Sequence, residues 1–521
     1  MYIHFTASGR GAGLEQGLFS GHQTGVEAMG LKSGGGDASM RRSVLTLGAV
    51  SALDMVSQFV LPIILARQLS TQAFGDYRAL WLIVGTAIAT LPLQVPQSLF
   101  YFLPRTEGRA RSEYMVQAMI FMLVAGLLSI GLVLLPASGV NFDGPQLISV
   151  SAFVSMWVFS SLLDFVCSAL QRSSLQASIN LFFSVFRFVL IAGVAWFTHS
   201  ISSVIYAHVI LGVIKACTCI LMVFLLTKET GASVFNMPRW KEQIQYALPF
   251  GIFAALYGMR SKADQWIVVS LFSSAVYSVY SIASFFSPVQ GLIRTTVSSV
   301  LLPEINRLHA DQNHQEMVRV NRRGNLAVAL VMFPTLAYIF ATVDVLLGVL
   351  FSEHYVAAAA AARIYVFVLF VECIEITTLL MAYKQGRFFV LQNAWLIVFT
   401  VAVGGLGAWW MGMTGAAIGG AGAAVLAQWS SYRRLTQVAD IPMGQAQSWS
   451  DLSRVLLAAV LGSLAAWAVI AMLPHTPALI VLLLAALALS LVYYLGLHMM
   501  RLGESIRQVL GVKIASLLFF K

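Results

Sequence analysis

From Ser43 to Met500 the chain passes through one apolar window after another, each interrupted by a short break rich in Arg, Lys, Gly, Pro or Asn. A window of roughly twenty residues makes a helix of about 30 Å, the thickness of the hydrocarbon layer of a bilayer. The windows lie near 43–66, 79–103, 115–136, 147–170, 176–198, 201–227, 243–272, 279–303, 324–351, 361–383, 388–411, 414–431, 454–473 and 477–500. They predict an all-α polytopic membrane protein of about fourteen transmembrane helices. Alternation of polar and apolar residues with a period of two, which a membrane β-barrel requires, is missing. The run 414–431 is short and rich in Gly and Ala, and 243–272 is the longest window, so it is expected to be tilted or broken.

Composition strengthens this picture. Hydrophobic residues make up 59% of the 521 and charged residues 10%, against about 25% charged in an ordinary soluble domain. The net charge of +10 would suggest a nucleic-acid partner in a soluble protein. Here it follows topology instead, because cytoplasmic loops concentrate Lys and Arg. With the N-terminus placed inside, 24 of the 32 basic residues fall on the cytoplasmic side. Arg67, Arg78 and Arg363 fall at the outer side and five lie within spans. An even number of spans with both termini cytoplasmic gives this separation, and no nucleic-acid partner is needed to explain the charge.

Residues 1–40 are polar, contain Gly34-Gly35-Gly36 and lack an apolar signal-like core. They are expected to be a disordered tail or a mis-called start, since Met40-Arg41-Arg42 stands directly before the first span. The segment 501–521 alternates basic and apolar residues and is expected to lie along the inner membrane surface. Between these ends the halves echo one another. Leu69-Ser70-Thr71-Gln72-Ala73-Phe74-Gly75-Asp76-Tyr77 follows the first span, and Phe272-Ser273-Ser274-Ala275-Val276-Tyr277-Ser278-Val279-Tyr280 follows the seventh. Each then leads into a helix ending in Leu-Pro, at Leu103-Pro104 and Leu302-Pro303, and a basic loop. The repeat predicts an N-lobe over 41–227, a linker over 228–242, a C-lobe over 243–431 and an accessory helix pair over 432–500. Both copies start with an outward helix, so the lobes are related by an axis along the membrane normal and can rock about a central cavity.

At these residues the chain resembles the polysaccharide transporter family, the Wzx-like O-antigen and exopolysaccharide flippases of the multidrug/oligosaccharidyl-lipid/polysaccharide exporter superfamily. The resemblance rests on Leu65-Ala66-Arg67-Gln68-Leu69-Ser70 with Phe74-Gly75-Asp76-Tyr77, on the run from Asp264 to Ala283, and on Leu302-Pro303-Glu304-Ile305-Asn306. Ser278 departs from it, standing where the family usually has glycine. The resemblance implies two lobes with two accessory helices in a bacterial inner membrane, moving an undecaprenyl-diphosphate-linked oligosaccharide from the inner to the outer leaflet for surface polysaccharide synthesis. It implies membrane lipids as surroundings, and a polysaccharide polymerase and export machinery as partners.

Charges at the centre of a span cost at least about 2.5 kcal/mol each, so they usually face a wet cavity or one another. Five cations qualify: Arg187, Lys215, Arg260, Lys262 and Arg294. A diphosphate needs such groups, Arg as a two-pronged donor and Lys as a point charge. All five are candidates for holding an anionic substrate. The competing reading is ion pairing, for example between Arg260 and Asp264, four residues apart. The acids within spans are Asp54, Asp164, Asp264, Asp344, Glu372 and Glu375. Glu372 and Glu375 are three apart, and two carboxylates side by side on a helix face cannot both stay ionised cheaply. That pair, with Asp54 and Asp264, is the candidate for ion coupling, with structural pairing to the cations as the alternative. His208 is expected to be a packed helix residue.

The chain has no GxxxxGK[ST], HExxH or GxSxG pattern, so no catalytic residue, cofactor or metal site is assigned and a non-enzymatic function is expected. Cys167, Cys217, Cys219 and Cys373 lie in apolar stretches and suggest neither a disulfide framework nor metal ligands. Two alternatives stand beside the flippase. One is a multidrug or organic-cation antiporter of the same superfamily, for which an acidic cavity is expected. The other is a membrane-embedded polymerase or ligase, which usually carries a large outer loop; every outer loop here is short.

Overall fold

A computed structural model describes residues 56–135, 144–228, 235–500, 502, 503 and 507. Asp54 and residues 1–40 lie outside them. Within the described residues the chain is a bundle of helices without strands. The first seven are α1 Val56–Gln68, α2 Thr71–Thr90, α3 Val95–Phe102, α4 Gly108–Val133, α5 Gly144–Ser160, α6 Leu163–Ala169 and α7 Ser173–Thr198. Then follow α8 Ile201–Thr227, α9 Met237–Arg260, α10 Ala263–Leu271, α11 Ser274–Ala283, α12 Ser287–Ala310 and α13 His314–Leu350. The last six are α14 Ala359–Glu372, α15 Thr377–Ala382, α16 Gly386–Met411, α17 Met413–Ala439, α18 Trp449–Met472 and α19 Ala478–Met499. Within the described residues every apolar window falls on one of these helices or on a consecutive pair; residues 43–55 of the first window lie outside the described residues. Nine helices are long and apolar enough to cross a membrane, and the bent pair α2–α3 makes a tenth.

The windows that fall short do so for visible reasons. In α17 the Gly and Ala residues that lower its apolar character let it press against α16: a side chain at Gly415 would overlap the Gly407 backbone, and one at Gly419 would overlap Gly404. Lipid supplies no hydrophobic drive for helices to associate, so small residues that bring backbones together hold such a pair. The window at 243–272 is broken, as its length suggested, between Arg260 and Ala263.

Breaks recur in both halves. The second span bends by 42° between α2 and α3, where Pro92 stands and both Leu93 and Gln94 have positive φ. Its counterpart in the second half breaks between α11 and α12, where Pro288 opens the new helix without needing a backbone N–H donor. Two more breaks separate α5 from α6 and α14 from α15.

The breaks divide the molecule into an inner end, which carries the basic loops, and an outer end. At the outer end the two halves are joined. α2 packs closely along α11, and a side chain on Gly75 would overlap the Ser274 carbonyl. Arg67, ending α1, donates to the Leu350 carbonyl at 2.9 Å and to that of Val349, thereby capping α13. Phe59 of α1 lies edge-on to Phe285 at 5.1 Å. One apolar cluster accordingly runs from Leu61 and Phe74 through Tyr280 and Phe333 to Phe351. Toward the inner end α9 bridges the halves: it packs on α2, α3 and α4 of the first and on α16 of the second, while α3 also packs against α4 and α6, and α12 against α13, α14 and α15. Two distinct apolar clusters lie there, one around Leu99, Tyr114 and Phe153, the other around Ile305, Leu379 and Phe389. The two halves thus share one apolar cluster at the outer end and are linked through α9 at the inner one. The pair α18–α19 packs on α13 alone to any extent and stands outside both lobes.

Candidate functional site

The first half of the seventh span, α9, runs along the junction between the lobes. Asn236 caps it by accepting from the Arg239 N–H, with Pro238 in its first turn. Its inner end is anchored to the N-lobe. Arg239 pairs with Glu113, a carboxylate without solvent exposure that also accepts from Arg109 at 2.9 Å. Tyr114 donates to Glu242 at 2.6 Å, and Gln117 to the Asn236 carbonyl at 2.7 Å. Higher up, Gly251 and Gly258 let α9 approach Leu93 and Ala89 of the second span, and Trp266 of α10 donates to Thr86 at 2.9 Å.

This close approach carries Lys262 across to α2, where its ammonium lies against Gly85. Arg78 is near enough that the two cations repel one another. Arg78 reaches over the junction in the other direction and donates to the Ser281 carbonyl of α11 at 3.2 Å, leaving its buried Nε without a partner. Lys262 makes no hydrogen bond or ion pair among the described residues. Arg260 places its guanidinium over the Tyr257 ring at 5.3 Å, with a buried Nε that also finds no acceptor. Arg187 of α7 interacts electrostatically with Tyr77 and His208 on the N-lobe side. The outcome is positive charge on both sides of the junction, beneath the outer seal, with the Arg78 and Arg260 Nε groups unpartnered among the described residues.

Four of the sequence candidates therefore separate into two kinds. Arg187, Arg260 and Lys262 stand near the junction. Lys215 does not: it is buried inside the N-lobe, 3.0 Å from Asp164 of α6 and 5.2 Å above the Trp157 ring. Arg294 lies on α12, but its side chain is outside the described residues. Arg78, by contrast, was assigned from sequence to the outer rim and belongs to the central group. The second span begins at Thr71 rather than near 79, because Ser70 caps it by accepting from the Ala73 N–H at 3.2 Å. Two turns of helix thus precede Arg78. The Ser70-Thr71 pair is the signal that would have located it.

The acids also part company. The helix break at Ser261–Lys262 removes the register that would set Asp264 beside Arg260, and no ion pair joins them. Asp264 instead accepts from the Tyr280 hydroxyl at 2.7 Å and from that of Tyr365, with Gly420 of α17 close against it. Three elements of the C-lobe enclose this carboxylate, which is 5% exposed. Glu372 and Glu375 do not share a helix face. α14 ends at Glu372, and Glu375 lies beyond the break, where its carboxylate accepts from the Thr378 N–H and hydroxyl, both at 2.9 Å, and caps α15. Asn321 and Asn325 of α13 fasten the break by donating to the Glu375 carbonyl at 2.9 and 2.8 Å. Asp344 pairs with Arg363 near the outer end. His208 is fully buried among Tyr77, Trp81 and Phe153, with Nδ1 2.8 Å from the Val204 carbonyl, as a packed helix residue would be.

Among the described residues no group of His, Cys, Asp and Glu is arranged to hold a metal ion, and the four cysteines are free thiols.

Comparison with known proteins bears on this arrangement. The lipid II flippase MurJ in an inward closed conformation matches it with a TM-score of 0.66 at 13% identity, over 87% of this chain and 98% of that one. A multidrug resistance MATE family transporter of the MOP superfamily in an inward-facing conformation matches with a TM-score of 0.57 at 10% identity, over 76% and 99%. The same comparison gives 0.51 for an outward-facing MATE family transporter of that superfamily, at 12% identity over 77% and 97%. No curated protein matches in sequence. At these identities the likeness establishes the fold, that of multi-pass membrane transporters. A family model described as polysaccharide biosynthesis protein matches residues 64–360, more than half of the chain. This chain belongs to the polysaccharide biosynthesis protein family.

Proposed function

We propose that the protein is a flippase that moves an undecaprenyl-diphosphate-linked oligosaccharide across the bacterial inner membrane by alternating access, with both termini cytoplasmic, for surface polysaccharide synthesis. The observation that carries the reading is the cation group at the lobe junction: Lys262 of one half and Arg78 of the other interact across it, and Arg260, two residues before Lys262, keeps an unpartnered Nε. Holding like charges together in a low-dielectric setting is costly unless an anion joins them, and a diphosphate supplies two or more negative charges in a compact group. The outer seal, where the halves share one apolar cluster, closes the exit on that side. Family membership and the flippase-like fold agree with this. Asp264 is proposed as an ion-coupling group, since a buried carboxylate held by neutral donors, the two tyrosine hydroxyls and backbone N–H groups, can take up a proton or a small cation.

The organic-cation antiporter is the second reading, and the MATE-like fold favours it. A cationic substrate would have to bind at a junction where Arg78 and Lys262 repel it, so the anionic lipid is preferred. Deleting the gene tests the proposal. Loss of surface polysaccharide with accumulation of undecaprenyl-linked repeat units inside the cell is expected. Unchanged polymer export, or drug sensitivity as the sole effect, would contradict it.

A further inference from the structure

The inner half of the junction has a chemistry that the cations do not explain. α9 presents three faces. Leu248, Ile252 and Met259, 39–44% exposed, form an apolar face suited to lipid. Ala247, Gly251 and Gly258 are buried, the two glycines against the second span. The third face carries Tyr246, Phe250, Phe253 and Tyr257, spaced 4, 3 and 4 residues apart and so aligned along one side of the helix. Tyr246 contacts Phe250 at 6.3 Å and Phe253 contacts Tyr257 at 6.3 Å, so the rings form a track. Tyr257, at its upper end beneath Arg260, is 49% exposed. At its lower end Tyr246 is fixed by stacking on Tyr101 of α3 at 4.4 Å.

Beside these rings lie polar atoms with nothing to bond. The Tyr246 hydroxyl, the Gln243 Oε1 and the Gln97 Oε1 are all buried and all lack a hydrogen-bond partner. Gln243 uses only its amide N–H, on Ser98 at 3.0 Å. Unsatisfied buried groups cost about 1–3 kcal/mol each, and two on one turn of α9, with a third on α3 four residues before Tyr101, suit a ligand that satisfies them. Hydroxyl-rich ligands do so, because each hydroxyl can donate to such an oxygen while the C–H face of the ring lies on an aromatic side chain. A polyprenyl tail could use the rings but none of the three oxygens, and a phosphate could accept from the Tyr246 hydroxyl but from neither glutamine Oε1.

Resting on the flippase reading, we infer that the aromatic face of α9, with Gln97 and Gln243, is the saccharide subsite of the same cavity. The diphosphate on Arg78 and Lys262 leaves the sugar in the inner half, along the track from Tyr257 to Tyr246. Two variants probe it without disturbing the packing. Tyr246→Phe keeps the stacked ring and removes the hydroxyl, and Phe250→Leu removes a ring from the middle of the track, away from the cations.

The test uses the full chain in lipid nanodiscs and native mass spectrometry with two probes: undecaprenyl diphosphate, and the undecaprenyl-linked oligosaccharide fraction extracted from the source cells. The wild type is expected to bind the oligosaccharide-bearing lipid more tightly, and the double variant to weaken that binding about tenfold while leaving the bare diphosphate unchanged. Equal binding of both probes by the wild type, or equal losses or no loss in the variant, would overturn the subsite and leave the flippase reading standing. A wild type that binds neither probe would overturn both. Gln97→Leu supplies an independent variant with the same expected selectivity should the double variant fail to fold.

Discussion

Each lobe carries an aspartate at a helix break, Asp164 with its side chain 41% exposed and Asp264 buried, and the two are held in different ways. In the N-lobe, Asp164 begins α6 just after a helix break and faces the Lys215 ammonium at 3.0 Å. In the C-lobe, Asp264 begins α10 just after a helix break and accepts from the hydroxyls of Tyr280 and Tyr365 and from backbone N–H groups of its own first turn. The first is a neutral pair, satisfied within its lobe, which fastens the fourth span to the sixth. The second has no cation beside it and retains a capacity for one. Two acids that look alike in sequence thus sit in different surroundings, one paired with a cation and the other proposed above as an ion-coupling group.

The strongest way to break the comparison is to remove the N-lobe acid. Asp164→Ala leaves Lys215 buried without its carboxylate, and breaking such a pair is expected to cost about 3 kcal/mol. Unfolding of the purified protein in detergent measures it, and Asp164→Ala with Lys215→Met should recover most of the loss. If the double variant is as unstable as the single, the pair is not what fastens those spans.

The C-lobe acid should respond in the reverse sense. Asp264→Asn preserves shape and still accepts from both tyrosines, so stability is expected to change by no more than about 1 kcal/mol. Transport into proteoliposomes with an imposed proton or sodium gradient should fall about tenfold and lose its dependence on the gradient. A variant that keeps a gradient-dependent rate would show that Asp264 is structural like its counterpart.

The smallest effect belongs to Glu375, which ranks with Asp164 as a structural acid. Glu375→Gln keeps an oxygen to accept from Thr378, so the cap of α15 weakens by a few tenths of a kcal/mol, on the scale of about 1 kcal/mol for a full cap. Transport should be unaffected. A gradient-dependent loss of rate here would restore Glu375 as a coupling group and blur the distinction between the two lobes.

Much of the architecture was legible in the order of apolar windows, because a bilayer enforces long apolar helices regardless of how they later pack. The repeat of the Phe74–Tyr77 region at Ala275–Tyr280 was legible too, and the fold packs the two copies against each other, Gly75 on Ser274. Which charges meet at the junction was not. Lys215 and Lys262 read alike as isolated intramembrane lysines, and only tertiary packing puts one on Asp164 and the other against Gly85. The helix breaks misled in the same way: spacings of three and four imply a shared face only while the helix continues, and it stops between Glu372 and Glu375 and between Arg260 and Asp264. Arg78 was hidden by a hydropathy window that begins where apolar residues do, whereas the helix begins at its cap.

The central claim is that cations from the two lobes hold an anionic lipid head group. Flipping of a fluorescent undecaprenyl-diphosphate-linked sugar by proteoliposomes containing the wild type or the Arg78→Ala, Lys262→Ala double variant tests it most directly. The wild type should translocate the lipid, and the variant, with an unchanged unfolding temperature, should lose at least nine-tenths of the rate, equivalent to about 1.4 kcal/mol or more. A folded double variant that flips the lipid at the wild-type rate would contradict the account.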